Sequence, residues 1–353
     1  MKYKIFGRKT GLRVSEIALG AANFGKGWGH GADQDTARKI FERFIEAGGN
    51  FIDTADAYQF GESEEMLAGF IAERRDQLVL ASKFTFGAAK ERKVATTGNS
   101  RKNIMRSVEG SLKRLKTDRL DLYWAHFYDG QTPLEEIVRA FDDLVREGKI
   151  LYAGLSNFPA WRIANASLLA DLRGWTPIAG IQIEYSLIER HADQELLPMA
   201  ESLGLGIAFW SPLAGGLLTG KYRAQENDPN SRKQALQAVI HSEDTNRETL
   251  ILDTVEAVAE ELSVKPLDVA LAWLRQKSES FSTESVTIIG PRTAGQLEGY
   301  LSALEVEVSK EQFERLDEAS RLAPVYPHKM IEESQKSIFG AITKQVEGKP
   351  PGR

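Results

Sequence analysis

Eight short apolar segments recur along the chain, with stretches of helical periodicity between them. The apolar segments are IALG, FIDTA, LVLASK, LDLYWAH, YAGLSN, IAGIQIE, LGIAFWS and SVTIIG, and the helical stretches include DTARKIFERFIEAG and TPLEEIVRAFDDLVREG. Strands that are buried on both faces form continuous apolar runs of this kind, as in parallel sheets covered by helices. Eight strand–helix units therefore predict an α/β fold, a (β/α)8 TIM barrel, preceded by an N-terminal β-hairpin at YKIFGRKTGLRVSEI.

The chain of 353 residues contains no Pro/Gly/Ser linker that would divide it. We expect residues 1–321 to form one barrel domain and residues 322–353 to form a C-terminal tail that is a candidate cover for the active-site mouth. The segments 84–101 and 221–246 also interrupt the regular alternation. Because loops after barrel strands lie on the C-terminal face, where barrel active sites are built, these two segments are further candidate lids.

Composition excludes several classes of function. The formal net charge is -5, and the basic stretches KERK and SLKRLKTDR lie beside acidic residues or on helix faces, so no nucleic-acid partner is expected. No apolar run approaches the ~18 residues of a membrane span. The absence of cysteine excludes thiolate chemistry and suits a reducing compartment, so we expect a soluble cytoplasmic protein that acts on a small molecule. The oligomeric state is not predicted.

A glycine-rich run offers a competing interpretation. Gly27 to Ala32, GWGHGA, satisfies the G-x-G-x-x-G/A pattern of dinucleotide-binding folds, and Asp53 follows at about the spacing of a ribose-binding acid. In those folds, however, the glycine turn follows its strand directly, whereas AANFGK separates this run from IALG. We therefore favour the barrel and expect the run to contact substrate or solvent.

Polar side chains gather at the ends of consecutive predicted strands, from the second to the seventh. They are Asp53 and Tyr58, Lys83, His126, Ser156 and Asn157, Gln182 and Glu184, and Trp210 and Ser211. Because the C-terminal ends of barrel strands share one face, these residues predict a single functional site.

Four of these groups suggest a chemistry. An ammonium close to a phenol stabilises the phenolate and lowers the pKa of the phenol, and Lys83 is the expected partner of Tyr58. Asp53 would hold Lys83 protonated, and His126 would donate a hydrogen bond to the oxygen of a bound carbonyl compound. Together they would protonate that oxygen as a hydride reaches the carbon.

The motifs that carry these residues resemble those of the aldo-keto reductase superfamily, from the N-terminal hairpin to about Arg321. NFIDTADAY followed by GESEEMLA resembles the family's second strand, catalytic turn and helix. ASKF resembles the lysine strand, and RLDLYWAHFYDGQTPLEE resembles the histidine strand. GLSNF, IQIEYSL and WSPLAGGLLTGKY resemble the later cofactor-binding strands.

The resemblance implies an oxidoreductase that reversibly reduces an aldehyde or ketone to an alcohol with NAD(P)H and without a metal ion. Asp53, Tyr58, Lys83 and His126 would be its catalytic tetrad, with Tyr58 as the general acid in reduction. The implied cofactor-binding residues are Asp53, Ser156, Asn157, Gln182, Trp210, Ser211, Leu213, Gly215, Lys221, Gly290, Arg292 and Gln296.

At the adenosine end the sequence departs from the family's pattern. The helix after the eighth strand commonly carries Glu-Asn against adenine, and here QLEGYL places Gly299 and Tyr300 at those positions. Tyr300 is a candidate for stacking on the base instead. Arg292 would pair with a 2′-phosphate, which favours NADP(H) over NAD(H).

Five aromatic side chains near strand ends are candidates for a substrate-binding mouth suited to an aromatic or bulky carbonyl compound, and a keto-sugar is the alternative. They are Phe24, Trp28, Phe84, Phe127 and Tyr128.

Two other classes of function are alternatives to a reductase. The β subunits of voltage-gated potassium channels resemble the same family and use the bound cofactor in a sensory role with slow turnover. A metal-dependent barrel hydrolase needs clustered ligands, but His30, His126, His191, His241 and His328 show no H-x-H or H-E-x-x-H spacing.

Overall fold

Eight parallel strands form a closed barrel in the computed structural model, which describes residues 1–224 and 241–340. Each barrel strand pairs with the next one along the chain, and the last strand pairs with the first, which confirms the predicted (β/α)8 architecture. The barrel strands are β3 (Ile17–Gly20), β4 (Phe51–Asp53), β5 (Val79–Phe84), β6 (Leu120–Ala125), β7 (Ile150–Ser156), β8 (Ile178–Glu184), β9 (Gly206–Trp210) and β10 (Ser285–Ile289).

Helices follow the strands and cover the outside of the barrel. Their N-termini carry the expected caps: Asp33 accepts a hydrogen bond from the backbone N–H of Thr36, and Ser100 caps the third helix in the same way. The helices are α1 (Gln34–Glu46), α2 (Glu62–Ile71), α3 (Arg101–Leu115), α4 (Leu134–Arg146), α5 (Ala160–Arg173), α6 (Leu196–Leu203), α7 (Lys221–Ala224), α8 (Asn246–Leu262), α9 (Pro266–Glu279), α10 (Ala294–Ser302), α11 (Lys310–Ser320) and α12 (His328–Phe339).

The N-terminal hairpin, β1 (Tyr3–Ile5) and β2 (Arg13–Ser15), closes the bottom of the barrel. Phe6 is fully buried there, with its ring 6.1 Å from that of Phe51 and 6.2 Å from that of Trp124, both edge-on. A Cβ atom at Gly180 or Gly206 would lie 2.5 Å or 2.8 Å from the Phe6 ring, so these strands need glycine beside it. The bottom is therefore filled with apolar side chains, and the opposite end is left for the site.

The alternation of side chains along β5 separates the barrel interior from the helical layer. Val79 and Ala81 pack with the interior cluster, and Lys83 continues the same face toward the top of the barrel. Ser82 points the other way and donates a hydrogen bond to Glu64 of α2 at 2.6 Å. The strand therefore carries one buried lysine into the barrel while its neighbour anchors the outer helix.

The start of the C-terminal tail lies beside α6. The backbone N–H of Val325 donates to the side chain of Gln194, and the His328 imidazole lies 2.7 Å from a carboxylate oxygen of Glu195. Residues 341–353 lie outside the described residues, so the prediction that the tail covers the active-site mouth stays a prediction. Within residues 1–224 and 241–340, no helix has the length and apolarity needed to cross a bilayer.

Candidate active site

Lys83 lies at the centre of a buried polar cluster at the top of the barrel. Its Nζ donates hydrogen bonds to Oδ2 of Asp53 at 2.5 Å, to the hydroxyl oxygen of Tyr58 at 3.0 Å and to the backbone carbonyl of Thr54 at 2.8 Å. The three acceptors match the three N–H donors of an ammonium. The lysine side chain is fully buried, whereas Tyr58 is half-buried at the rim.

The surroundings of Lys83 keep its amine charged. Burial lowers the pKa of Lys83, but the charge of Asp53 and the neighbouring Tyr58 raise it by more, so that the pKa of Lys83 stands above its ordinary value. The ammonium therefore remains protonated at neutral pH.

His126 faces the ring of Tyr58 edge-on, with the two ring centroids 5.8 Å apart. Burial, helped by the charge of Lys83, lowers the pKa of His126 well below its usual value. Its Nδ1 is buried and has no hydrogen-bond partner within the described residues. The imidazole is therefore neutral at physiological pH, and a neutral imidazole carries one N–H donor and one acceptor nitrogen.

Amide side chains connect the cluster to the later strands. Nε2 of Gln182 donates to Oδ1 of Asp53 at 2.9 Å, so both oxygens of this carboxylate are held. The side chain of Asn157 donates to the backbone carbonyl of His126 at 3.0 Å and accepts from the indole N–H of Trp210 at 3.1 Å. These bonds fix the side chains at the ends of β4 and β6 to β9 relative to one another.

A long cavity of about 570 Å³ opens from this cluster across the top of the barrel. It joins Tyr58, His126 and Phe127 to every residue of the cofactor-binding set except Ser156, which is fully buried behind Asn157. The members of that set in its lining are Asp53, Asn157, Gln182, Trp210, Ser211, Leu213, Gly215, Lys221, Gly290, Arg292 and Gln296.

The turn after β9 is built from left-handed residues and lies beside an ammonium. Ser211, Ala214, Gly215 and Gly216 all have positive φ angles, of 55°, 50°, 67° and 97°. The backbone N–H groups of Ala214, Gly215 and Gly216 donate hydrogen bonds within the turn, to Ser211 and to the carbonyl of Leu213. A Cβ atom at Gly216 would lie 3.1 Å from Nζ of Lys221, which puts an ammonium beside the turn.

The far end of the cavity contains residues that the sequence analysis did not select. Lys265, Pro266 and Leu267, at the start of α9, line it opposite Gly299 and Tyr300 of α10. A Cβ atom at Gly299 would lie 3.5 Å from the side chain of Leu267. Gly299, one of the two residues that depart from the family's pattern, thus faces an apolar side chain of another helix.

Aromatic rings lie beside Tyr58 and His126. The indole of Trp28 lies 6.0 Å from the Tyr58 ring, edge-on, and Phe127 lines the cavity and is 38% exposed. Phe86, which the sequence analysis did not select, packs 5.2 Å from His126 and 5.1 Å from Phe127. Of the five aromatic candidates, Phe127 therefore lines the cavity, and Trp28 lies beside Tyr58 but does not line the cavity.

The other three aromatic candidates lie elsewhere. Phe24 is fully buried in the core, 6.4 Å from Phe70. Phe84 follows the inward-facing Lys83 and so points outward, 5.1 Å from Tyr123, again fully buried. Tyr128 packs on the outer side of the barrel, where its hydroxyl accepts a hydrogen bond from Arg162. None of the three lines the cavity, in contrast to the expectation from sequence.

The glycine-rich run Gly27 to Ala32 lies in the loop between β3 and α1 and does not begin a dinucleotide-binding fold. The backbone N–H of Gly27 donates to the carboxylate of Glu62, and that of Trp28 donates to Gln59. The helix that follows is capped by the carboxylate of Asp33, which would repel a pyrophosphate. The closed barrel excludes the competing interpretation.

The described parts of the two candidate lids have contacts at this face. The segment 84–101 carries Phe86 against His126. Of the segment 221–246, residues 225–240 lie outside the described residues. The description resumes at His241, whose Nε2 lies 2.9 Å from the carboxylate of Glu184 at the end of β8.

A second buried carboxyl lies directly behind the site. Asp56 is 1% exposed, its backbone N–H donates to the carbonyl of Lys83 at 3.0 Å, and its Oδ1 has no hydrogen-bond partner within the described residues. Burial, together with the nearby charge of Glu64, raises the pKa of Asp56 to about 7. Glu64 itself is paired with Arg114 at 2.7 Å, which leaves Asp56 as the acid without a direct ion-pair partner.

The part of the chain that the structure describes contains no set of metal ligands. Within it, no three His, Cys, Asp or Glu side chains are grouped so that they could hold a metal ion.

Comparison with known proteins finds a family model and several relatives that match most of this chain. The model of the family described as "Aldo/keto reductase family" matches residues 16–321. An uncharacterized oxidoreductase, YrpG, of Bacillus subtilis is 37% identical over 327 residues, which cover 90% of this chain and 95% of that protein. Norsolorinic acid reductase of Aspergillus flavus is 32% identical over 96% of this chain and 86% of its own. An aryl-alcohol dehydrogenase [NADP(+)] of Phanerodontia chrysosporium is 33% identical over 90% of this chain and 86% of its own.

Proposed function

Because the chain belongs to the aldo/keto reductase family, we propose that it is an NADP(H)-dependent oxidoreductase that reduces an aldehyde or ketone to an alcohol, reversibly. The observation that carries this proposal is the position of Lys83 between Asp53 and Tyr58, at the inner end of a long cavity. A phenol held against a buried ammonium beside a neutral imidazole is suited to proton transfer to a carbonyl oxygen.

The cavity lining fits a nicotinamide cofactor. Gln182 and Asn157 present amide groups that can hold the carboxamide, and the Trp210 indole offers an aromatic face for the ring. Lys221, in the cavity lining beside the turn after β9, supplies a positive charge for the pyrophosphate. When bound, the nicotinamide supplies the hydride.

Residues of the chain itself transfer the proton and stabilise the groups that exchange it. Tyr58 donates its hydroxyl proton to the substrate oxygen in reduction and takes it back in oxidation. Lys83 stabilises the negative charge that remains on the phenol oxygen, and Asp53 keeps the ammonium in place. His126, being neutral, donates a hydrogen bond that orients the substrate oxygen without competing as an acid.

A preference for NADP(H) is supported by cations at the far end of the cavity. Arg292 lies there half-buried, with its backbone N–H bonded to Gln296, and Lys265 lines the same end. A guanidinium pairs in a bidentate manner with phosphate, and an ammonium adds a second charge. The aryl-alcohol dehydrogenase among the relatives carries NADP(+) in its name.

An aromatic carbonyl substrate is supported by the rings at the mouth. Trp28 packs on the ring of Tyr58, Phe86 packs on His126, and Phe127 lines the cavity, so aromatic rings lie beside both proposed catalytic groups. Two of the relatives are named for norsolorinic acid and aryl alcohols.

The decisive experiment follows NADPH and NADH absorbance with a panel of aromatic and aliphatic aldehydes and ketones and with keto-sugars. We expect multiple turnovers, with NADPH and aromatic aldehydes preferred. Tight cofactor retention with less than one turnover for every compound would instead support the cofactor-sensing role of a channel-β-subunit-like protein.

A further inference from the structure

A guanidinium lies against the aromatic ring that packs on His126. Cζ of Arg92, in the loop between β5 and α3, lies 5.2 Å from the centre of the Phe86 ring. The Phe86 ring in turn lies 5.2 Å from the ring of His126. The charge of Arg92 is therefore no farther from the His126 ring than twice 5.2 Å, about the span of one aromatic ring with a polar substituent at each end.

This guanidinium has no ion-pair partner among the described residues. Within residues 1–224 and 241–340, no carboxylate lies within salt-bridge distance of Arg92, whereas Arg101, at the end of the same loop, pairs with Asp143. Its neighbours Lys90 and Lys93 add two more positive charges to the loop, against the single negative charge of Glu91. The loop therefore presents net positive charge beside the mouth.

Besides its contact with Phe86, Arg92 makes no side-chain hydrogen bond within residues 1–224 and 241–340, so its planar set of N–H donors is available to a ligand. Such a planar fork binds a carboxylate with two parallel hydrogen bonds. The stacking also restricts the side chain, so that less conformational entropy is lost when an anion binds.

We propose that Arg92 is a substrate-binding residue that selects aromatic aldehydes and ketones bearing a carboxylate at the end of the ring opposite the carbonyl group. This inference rests on the proposed carbonyl reductase function. The substrate's aromatic ring lies between Trp28 and the wall of Phe86 and Phe127, its carbonyl oxygen meets Tyr58 and His126, and its carboxylate meets Arg92.

The test compares two substrates of nearly equal shape, 4-formylbenzoate and the neutral 4-formylbenzamide, with NADPH at saturation. Wild-type enzyme is compared with Arg92→Gln, with the charge-conserving Arg92→Lys, and with Lys113→Gln. The control removes one exposed cation in the last turn of α3, at the end of that helix remote from the mouth. The readout is the ratio of kcat/KM for the two substrates.

We expect wild-type enzyme and Lys113→Gln to favour the benzoate by roughly fivefold, the scale of a partly exposed charge pair. Arg92→Gln should lose this preference through a higher KM for the benzoate alone, Arg92→Lys should keep part of it, and about 0.5 M salt should weaken it. An unchanged ratio in Arg92→Gln would overturn the proposal, as would a wild-type enzyme that reduces other carbonyl compounds but neither of these. A protein that reduces no carbonyl compound at all would overturn the proposed function as well.

Discussion

The ammonium nitrogen of Lys83 lies 3.0 Å from the hydroxyl oxygen of Tyr58, although the two residues come from different strand–loop units of the barrel. The pairing depends on the closed barrel, because β5 delivers Lys83 from the interior while the loop after β4 delivers Tyr58 from the rim. Asp53 holds the other side of the ammonium at 2.5 Å. Lys83 therefore holds the hydroxyl group of Tyr58, the proposed proton donor, and Asp53 in turn holds Lys83.

Replacing Lys83 with methionine separates its chemical role from its structural one. Lys83→Met leaves the charge of Asp53 buried without its ion pair, and we expect a loss of ~3–5 kcal/mol in the free energy of unfolding together with at least a ~10²-fold fall in kcat. The double variant Asp53→Asn/Lys83→Met should recover most of the stability but none of the activity. Urea unfolding and single-turnover kinetics measure the two effects, and recovery of activity in the double variant would contradict the role of Lys83.

Stability should depend on pH through Asp56. Its folded-state pKa of about 7 lies above the ordinary value of 3.8, so the folded state binds a proton that the unfolded state releases between these limits. The stability that this proton contributes is fully present below about pH 4 and is lost as the pH rises to about 7. Asp56→Asn, which stays neutral, should therefore gain up to ~4 kcal/mol over wild type between pH 4 and pH 8. The free energy of unfolding of both proteins is measured with urea at each pH. A free energy that changes with pH in the same way for both proteins would contradict the assignment.

His126 should remain neutral through the physiological range. Because burial and the charge of Lys83 depress its pKa, the ¹⁵N NMR shifts of the imidazole should be those of one neutral tautomer at pH 6.0. A titration of His126 with a midpoint near 6.5 would show that the ring is not desolvated as the structure indicates.

Arg292 should discriminate between the two cofactors. Arg292→Ala removes a charge from the end of the cavity, and we expect NADPH binding to weaken by ~1.5–3 kcal/mol while NADH binding barely changes. Fluorescence titration of both cofactors provides the measurement. Equal losses for NADPH and NADH would show that the residue does not meet the 2′-phosphate.

The barrel could be predicted from sequence because its signal is local. Each parallel strand is buried on both faces and therefore appears as an uninterrupted apolar run, so eight runs were enough to give the fold. The cluster of Asp53, Tyr58, Lys83 and His126 followed from the same property, since all strand ends of a barrel meet on one face.

The aromatic residues of the mouth could not be predicted from sequence with the same accuracy. A phenylalanine near a strand end has the same local sequence signal whether it faces the mouth or the core. Phe84 carried one usable clue: it follows Lys83 directly, so if the lysine faces inward the phenylalanine must face the helices. Phe86 lies beyond the strand, where the loop alone decides its direction. Lys265 to Leu267 come from a turn between two helices, remote in sequence from every motif, and only the closed fold brings them to the cavity.

The central claim is that Tyr58 supplies the proton, and Tyr58→Phe tests it most directly, since the change removes one oxygen and keeps the ring that packs against Trp28 and His126. The measurement is kcat for reduction of the best substrate with NADPH, alongside cofactor affinity and thermal unfolding. We predict a fall of at least ~10²–10⁴-fold in kcat, with affinity for NADPH and the unfolding temperature nearly unchanged. A Tyr58→Phe enzyme that reduces its substrate within a few fold of the wild-type rate would contradict the mechanism.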